Sequence, residues 1–271
     1  IPAPISLKAS DVMFAVVCLY SNSGDLQQVY FGEEMAPTSR SLIVTMDLKK
    51  RVYLGPTSLA AEISLLMGNL GLSRPGALVY DPFVGTGSLA AACAKLGATV
   101  LGCDIDARVL VGKQGRNMSD VYKQYGLGVP EVVRMDNSLT FFGRGAVFDA
   151  VITDPPYGIR AGARKSGVTG RDYLPVEASR RATVSVATST YNPVDVMQDL
   201  VSLSAKMLTV GGRLVYLLPC LRMAYTRDCL PAHPCLRLVA NAEEVLSVTL
   251  SRRMVVMEKV CAYEVEREAE Y

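Results

Sequence analysis

Apolar positions along this chain fall into short runs separated by helical stretches, and the alternation becomes regular from Ala77 onward. Leu78-Val79-Tyr80, Thr99 to Cys103, Val132-Val133-Arg134-Met135 and Phe148 to Thr153 read as four strands. Each is too short for a helix and is bounded by turn-forming residues. Between the first three, Ser88 to Leu96 and Ala107 to Tyr125 carry helical periodicity. A helix over Val194 to Leu208 leads into a fifth strand, Gly212 to Leu218, and Leu236 to Ala240 with Met254 to Tyr263 completes seven. Strands alternating with helices predict an α/β architecture, a seven-stranded and mostly parallel sheet with helices on both faces.

The first fifty residues follow a different pattern. Phe14 to Tyr20 and Gln28 to Phe31 read as two strands joined through Ser21-Asn22-Ser23-Gly24-Asp25, a hairpin that closes a preceding domain. Residues 1–50 are therefore expected to be that domain's tail with a linker, and residues 51–271 the α/β domain. Because the chain starts with Ile rather than Met, a longer parent chain is expected. After the charged Asp47-Leu48-Lys49-Lys50-Arg51 linker, Ser58 to Leu70 reads as a helix with Thr57 or Ser58 as its cap and Glu62 in its first turns. Gly158 to Asn192 has little periodicity, and a loop of that length inside a compact domain points to function.

Composition narrows the class. The chain has 271 residues, is 50% hydrophobic and 20% charged, which is globular and excludes disorder. No apolar run reaches the eighteen or so residues of a membrane span, and the first residues lack the form of a signal peptide. Seven cysteines without a CxxC pair read as reduced thiols of a cytosolic or nuclear protein, and a cytoplasmic location is expected. Cys229, His233 and Cys235 crowd together, but Pro231 and Pro234 favour a plain loop over a metal site. A net charge of +2 announces no polyanion partner by itself, so any basic surface has to be local. The 158–192 insert is where it concentrates, with Arg160, Arg164, Lys165, Arg171, Arg180 and Arg181 against Asp172 and Glu177.

Three carboxylates stand at three successive strand ends. Asp81-Pro82-Phe83-Val84-Gly85-Thr86-Gly87-Ser88 lies where the first strand hands over to its helix, the place where such sheets bind ligands. Gly85 and Gly87 allow a tight turn and close backbone approach. Neither a phosphate-binding Gly-Lys-Ser/Thr nor a complete dinucleotide fingerprint follows, since Ala90 stands at the third glycine position. About twenty residues on, Asp104, or failing it Asp106, is placed to accept both hydroxyls of a ribose. Asp136-Asn137 ends the third strand, within reach of an adenine amino group. A helix N-cap is the plainer role for an Asp after a strand.

The most specific string is Asp154-Pro155-Pro156-Tyr157-Gly158, just past the fourth strand. Two prolines stiffen the chain and remove two backbone donors, so the Asp154 carboxylate and the Pro155 carbonyl can converge on one amino group. Tyr157 is then placed to stack on the base that carries it. Accepting both N–H bonds of an exocyclic amine favours a pyramidal nitrogen with an available lone pair.

Together these strings resemble the Rossmann-fold amino-methyltransferases of class I. With Lys49-Lys50-Arg51-Val52-Tyr53-Leu54-Gly55-Pro56-Thr57-Ser58 ahead of them and Arg160 after them, the chain is similar, from about Phe31 to its C-terminus, to the catalytic subunits that form N2-methylguanosine at position 10 of transfer RNA. The resemblance implies S-adenosylmethionine as cofactor, held by Asp81, Gly85, Gly87, Asp104 and Asp136, with Thr57 and Ser58 near its methionine end. It also implies guanine held by Asp154 and Tyr157; the local positive excess of the insert beside that pocket is expected to grip RNA phosphates through Arg160, Arg164 and Lys165. A preceding RNA-binding THUMP domain, and a small zinc-binding activator subunit pairing along the third strand in a heterodimer, belong to the same expectation. The alternatives are an amino methyltransferase acting on another RNA or on DNA adenine or cytosine, a catalytically silent RNA-binding or assembly module, and a nicotinamide oxidoreductase, which leaves the Asp-Pro-Pro-Tyr string unexplained.

Overall fold

A computed structural model describes residues 11–35, 40–138, 145–156, 164–166 and 188–264. The chain forms two compact units, residues Ile1–Val44 and Thr45–Tyr271. In the first, β1 (Phe14–Tyr20) and β2 (Leu26–Glu33) pair as an antiparallel hairpin through the predicted turn. Phe14 stacks on Phe31 across it at 5.4 Å. The short helix α1 (Arg40–Thr45) follows.

The second unit runs α2 (Ala61–Leu70), β3 (Leu78–Asp81), α3 (Ser88–Lys95), β4 (Thr99–Asp104), α4 (Ala107–Val111), α5 (Met118–Gln124), β5 (Glu131–Arg134) and β6 (Phe148–Thr153). It continues with β7 (Arg164–Ser166), β8 (Thr188–Thr190), α6 (Pro193–Met207), β9 (Leu208–Leu221), β10 (Leu236–Val245) and β11 (Leu250–Lys259). Seven strands form one sheet in the order β10-β11-β9-β6-β3-β4-β5. The five from β9 to β5 are parallel, and β11 and β10 add antiparallel strands at the far edge. The chain reverses direction of travel across the sheet between β3 and β6, so the carboxyl ends of β3, β4 and β6 open onto one crevice.

Helices cover both faces. A Cβ at Gly71, in the turn after α2, would lie 2.3 Å from Ile152 Cδ1, while the neighbouring Val151 belongs to the buried cluster that α6 contributes to through Val196, Leu200 and Val201. Adjacent strand residues point to opposite faces, so α2 and α6 lie on opposite sides of the sheet. The sequence encodes α6 plainly, with Asn192 accepting the Val194 N–H at 3.0 Å and Pro193 in the first turn.

Several elements depart from the sequence expectation: β10 runs on to Val245, β11 spans Leu250–Lys259 rather than Met254 to Tyr263, and β7 and β8 fall within the stretch read as a loop. The stretch Ala107 to Tyr125 is two helices, broken where Gly112, Gln114 and Gly115 take positive φ of 99°, 53° and 73°. The helix expected from Ser58 starts at Ala61, with Ala60 at the cap position and no side-chain cap. The Ser58 hydroxyl is committed elsewhere, accepting the Gly55 N–H at 2.9 Å and bonding the Thr86 hydroxyl at 3.0 Å. The fifth sheet strand starts directly at the end of α6, and its register against β6 slips around Gly211, whose φ is 86°.

Candidate active site

Asp81 is buried at the end of β3. Its Oδ1 accepts the Phe83 N–H at 3.1 Å and the Thr153 hydroxyl at 2.7 Å, which ties the end of β3 to the end of β6. Two hydrogen bonds do not replace the water that burial removes. Its carboxyl is accordingly pushed up to about 7, first by desolvation and then by the charges of Asp104 and Asp154. Three carboxylates that repel one another at the mouth of one crevice favour a cationic ligand.

Asp104 bridges the glycine loop to the next turn. Its Oδ2 accepts the Gly85 N–H at 3.0 Å and its Oδ1 the Asp106 N–H at 2.8 Å. Burial raises its pKa, against the pull of those backbone bonds. Each carboxylate oxygen keeps a further acceptor site, as a ribose diol requires. Asp106 does the plainer job: it caps α4, accepting the Arg108 N–H at 2.9 Å, and pairs with the Arg108 guanidinium at 2.7 Å. The local geometry thus separates the two acids by role.

The loop between them is shaped by close packing. Gly87 has φ of 79° and a Cβ there would meet Met118 Sδ at 2.7 Å, while Gly102 on β4 would meet Val84 Cγ2 at 2.6 Å. At Gly85, with φ of 51°, a Cβ would meet no atom nearer than the Phe83 carbonyl oxygen at 3.9 Å, so the positive φ rather than crowding is what asks for glycine there. The segment from Arg51 to Ser58 runs beside this loop. Tyr53 donates to the Val109 carbonyl at 2.9 Å, and Thr57 is exposed, so Ser58 rather than Thr57 touches the loop.

Asp136 is buried and already well supplied with donors. Its Oδ1 accepts the Ser138 N–H at 2.9 Å and the Ser138 hydroxyl at 2.7 Å, and its Oδ2 accepts the Ser166 N–H. Those bonds hold its pKa below the usual carboxylate value although burial, the largest single influence, pulls upward. Ser166 belongs to β7, so Arg164 and Lys165 stand beside the end of β5, with Lys165 Nζ 5.3 Å from the centre of the Tyr191 ring. Asn137 turns inward and bonds Tyr80, Cys103 and the Pro82 carbonyl.

Asp154 is half-buried at the end of β6, followed by buried Pro155 and half-buried Pro156. Asp154 is near enough to raise the pKa of Asp81. Tyr157 and Arg160 lie outside the described residues. The sequence reading passed over Thr153, which links two strand ends, and Arg51, which bonds the glycine loop. Nothing in a Lys-Lys-Arg linker distinguishes a buried guanidinium from a solvated one.

A family model described as UPF0020: RMKL-like, methyltransferase domain, matches residues 49–170. The chain is 42% identical over 241 residues to the tRNA (guanine(10)-N(2))-methyltransferase TRMT11 of Dictyostelium discoideum, covering 88% of this chain and 47% of that protein. With the human TRMT11 it shares 37% identity over 284 residues, 96% of this chain and 61% of the relative. The chain thus spans about half the length of the first of these relatives. Among solved structures, TrmN from Thermus thermophilus superposes with a TM-score of 0.51 at 22% identity, over 95% of this chain and 62% of that one, which shows the fold.

Proposed function

We propose that the chain belongs to the tRNA (guanine(10)-N(2))-methyltransferase family, and that it transfers a methyl group from S-adenosylmethionine to the exocyclic N2 amine of a guanine in transfer RNA, at position 10. The observation that carries this reading is the convergence of Asp81, Asp104 and Asp154 on one crevice beside the Gly85 turn. A ligand bearing a sulfonium, an ammonium and a ribose suits that set of acceptors. When bound, S-adenosylmethionine supplies an electrophilic methyl group on sulfur.

The chain's own residues do the rest. Asp81 meets the ammonium and Asp104 the ribose hydroxyls, while Gly85 and Gly87 give backbone contact. Asp136 retains limited acceptor capacity toward the adenine edge, and Ser58 with Thr57 borders the methionine end. Asp154 and the Pro155 carbonyl accept the two N–H groups of the guanine amine, and Asp154 takes the proton that the nitrogen sheds as it is methylated. Tyr157 stacks on the base, and Arg160, Arg164 and Lys165 hold flanking phosphates.

The same reading assigns the first unit to the tail of a THUMP-like RNA-binding domain, and the work to the cytoplasm as a heterodimer with a small zinc-binding activator. The edge strand β5, where Val133 is 49% exposed, is the surface on which such a partner would add a strand. No helix of the described residues is long and apolar enough to cross a membrane. The test of the catalytic assignment is Asp154→Ala. Methyl transfer should fall by at least roughly 100-fold with cofactor affinity preserved; retained turnover would remove Asp154 from the mechanism.

A further inference from the structure

The turn between α4 and α5 sets two cations face to face. Lys113 and Arg116 pair as an isolated antiparallel bridge, the Lys113 N–H donating to the Arg116 carbonyl at 2.8 Å and the Arg116 N–H to the Lys113 carbonyl at 3.0 Å. Gln114 and Gly115 between them both take positive φ, as a tight two-residue turn requires. Residues directly opposed on such a ladder put their side chains on one side, where like charges repel. Both residues are exposed, and among the described residues neither is in an ion pair.

Two lysines extend the pair. Lys123 is exposed near the end of α5, and the residue after it, Gln124, ties that end to the linker: its Nε2 donates to the Lys50 carbonyl at 2.6 Å and its Oε1 accepts the Val52 N–H at 3.1 Å. Exposed Lys49 therefore stands in the segment packed against α5, and neither Lys49 nor Lys123 is in an ion pair among the described residues. Residues 47–53 and 106–125 hold seven Lys and Arg against three Asp, in a chain whose net charge is only +2. The acids are already engaged: Asp47 accepts the Lys49 N–H at 3.0 Å, Asp120 the Asn117 N–H at 3.0 Å, and Asp106 pairs with Arg108.

This band borders the crevice. Arg51 bonds Thr86 and Ser88 of the glycine loop, and Met118, two residues past Arg116, fills the space a Cβ on Gly87 would need. That lip belongs to α3, which shares the α2 face: a Cβ at Gly68 would lie 2.7 Å from Leu96 Cδ1, just past α3. Lys165 of the insert instead lies against Tyr191, a member of the buried cluster under α6 on the other face. The two groups of cations therefore flank the strand ends from opposite lips. Arg116 and Lys123 bracket α5, which at 1.5 Å per residue is about 10 Å long, so a run of phosphates can reach both where one small anion cannot. We propose that Lys49, Lys113, Arg116 and Lys123 form a second contact surface for the phosphate backbone of the RNA substrate, facing the insert across the crevice. The target base enters between the two grips. This rests on the substrate reading above and adds a surface to it. It also accounts for a like-charge pair that stability alone would disfavour.

The test is binding of unmodified transfer RNA by filter retention over a range of salt concentrations, on the unaltered chain and three variants. Lys113→Gln with Arg116→Gln removes the opposed pair, and Lys113→Arg with Arg116→Lys keeps its charge. Arg74→Gln removes an exposed cation from the turn before β3, at the other end of the sheet. The neutral double variant should bind RNA roughly 10-fold more weakly and flatten the plot of log affinity against log salt by about 1.5. Its affinity for S-adenosylhomocysteine should be unchanged, and the other two variants should match the unaltered chain throughout. An unchanged salt slope in the neutral variant would overturn the assignment. So would an equal loss from Arg74→Gln, which would reduce the effect to net charge, or from the charge-keeping variant, which would reduce the turn to a brace. An unaltered chain that binds S-adenosylhomocysteine but no transfer RNA would instead strike at the substrate reading itself.

Discussion

Asp81→Asn removes the one ionisable group that burial holds at about 7 in place of 3.8. The amide oxygen can still accept from the Phe83 N–H and the Thr153 hydroxyl, so the local framework is kept. At about 1.4 kcal/mol per pH unit, the gap makes ionised Asp81 a burden of about 4 kcal/mol on the ligand-free fold. The sign follows from proton binding: the folded state holds this proton more tightly than the unfolded chain. Its contribution to stability is therefore full below about pH 4 and is lost as pH rises through about 7. The variant lacks that decline. Urea unfolding followed by far-ultraviolet circular dichroism suits a chain without tryptophan. The stability of Asp81→Asn relative to the unaltered chain should be greater at pH 8.5 than at pH 4.5 by up to about 3 kcal/mol. A difference independent of pH, or one of opposite sign, would refute the view that Asp81 is an electrostatically loaded acid awaiting a cation.

Asp104→Ala should weaken S-adenosylhomocysteine binding by roughly 10- to 100-fold, whereas Asp106→Ala should leave it nearly unchanged and cost about 1 kcal/mol of stability through the lost α4 cap; calorimetry and unfolding curves on both variants decide the pair. Gly102→Ala drives a methyl into Val84 at 2.6 Å, and should lower stability by about 1–3 kcal/mol while displacing the 82–87 turn. A variant as stable as the parent would show that Val84 yields freely.

Much of this was legible in the order of residues because the determinants are local. Period-two and period-3.6 patterning sufficed for the strands and their order of appearance, and the strand-end acids stood out because turn residues follow each one. The reading lost accuracy where tertiary packing overrode local signal. The apolar periodicity continues from Ala107 to Tyr125, yet Gly112 and Gly115 turn the chain between two helices. Ser58 has the chemistry of a helix cap but is drawn to Gly55 and Thr86. Asp104 and Asp106 are identical in type and two residues apart, and only the position of Gly85 and Arg108 separates them. Arg51 was invisible as a site residue because its significance lies in burial, which a charged linker conceals.

The most direct test of the account is transfer of labelled methyl from S-adenosylmethionine to unmodified transfer RNA, followed by digestion and chromatography of the nucleosides. The account predicts label in N2-methylguanosine and none when Asp154 is replaced by Ala. Label in a methylated adenosine or cytidine, or no label from a chain that binds S-adenosylhomocysteine, would contradict it.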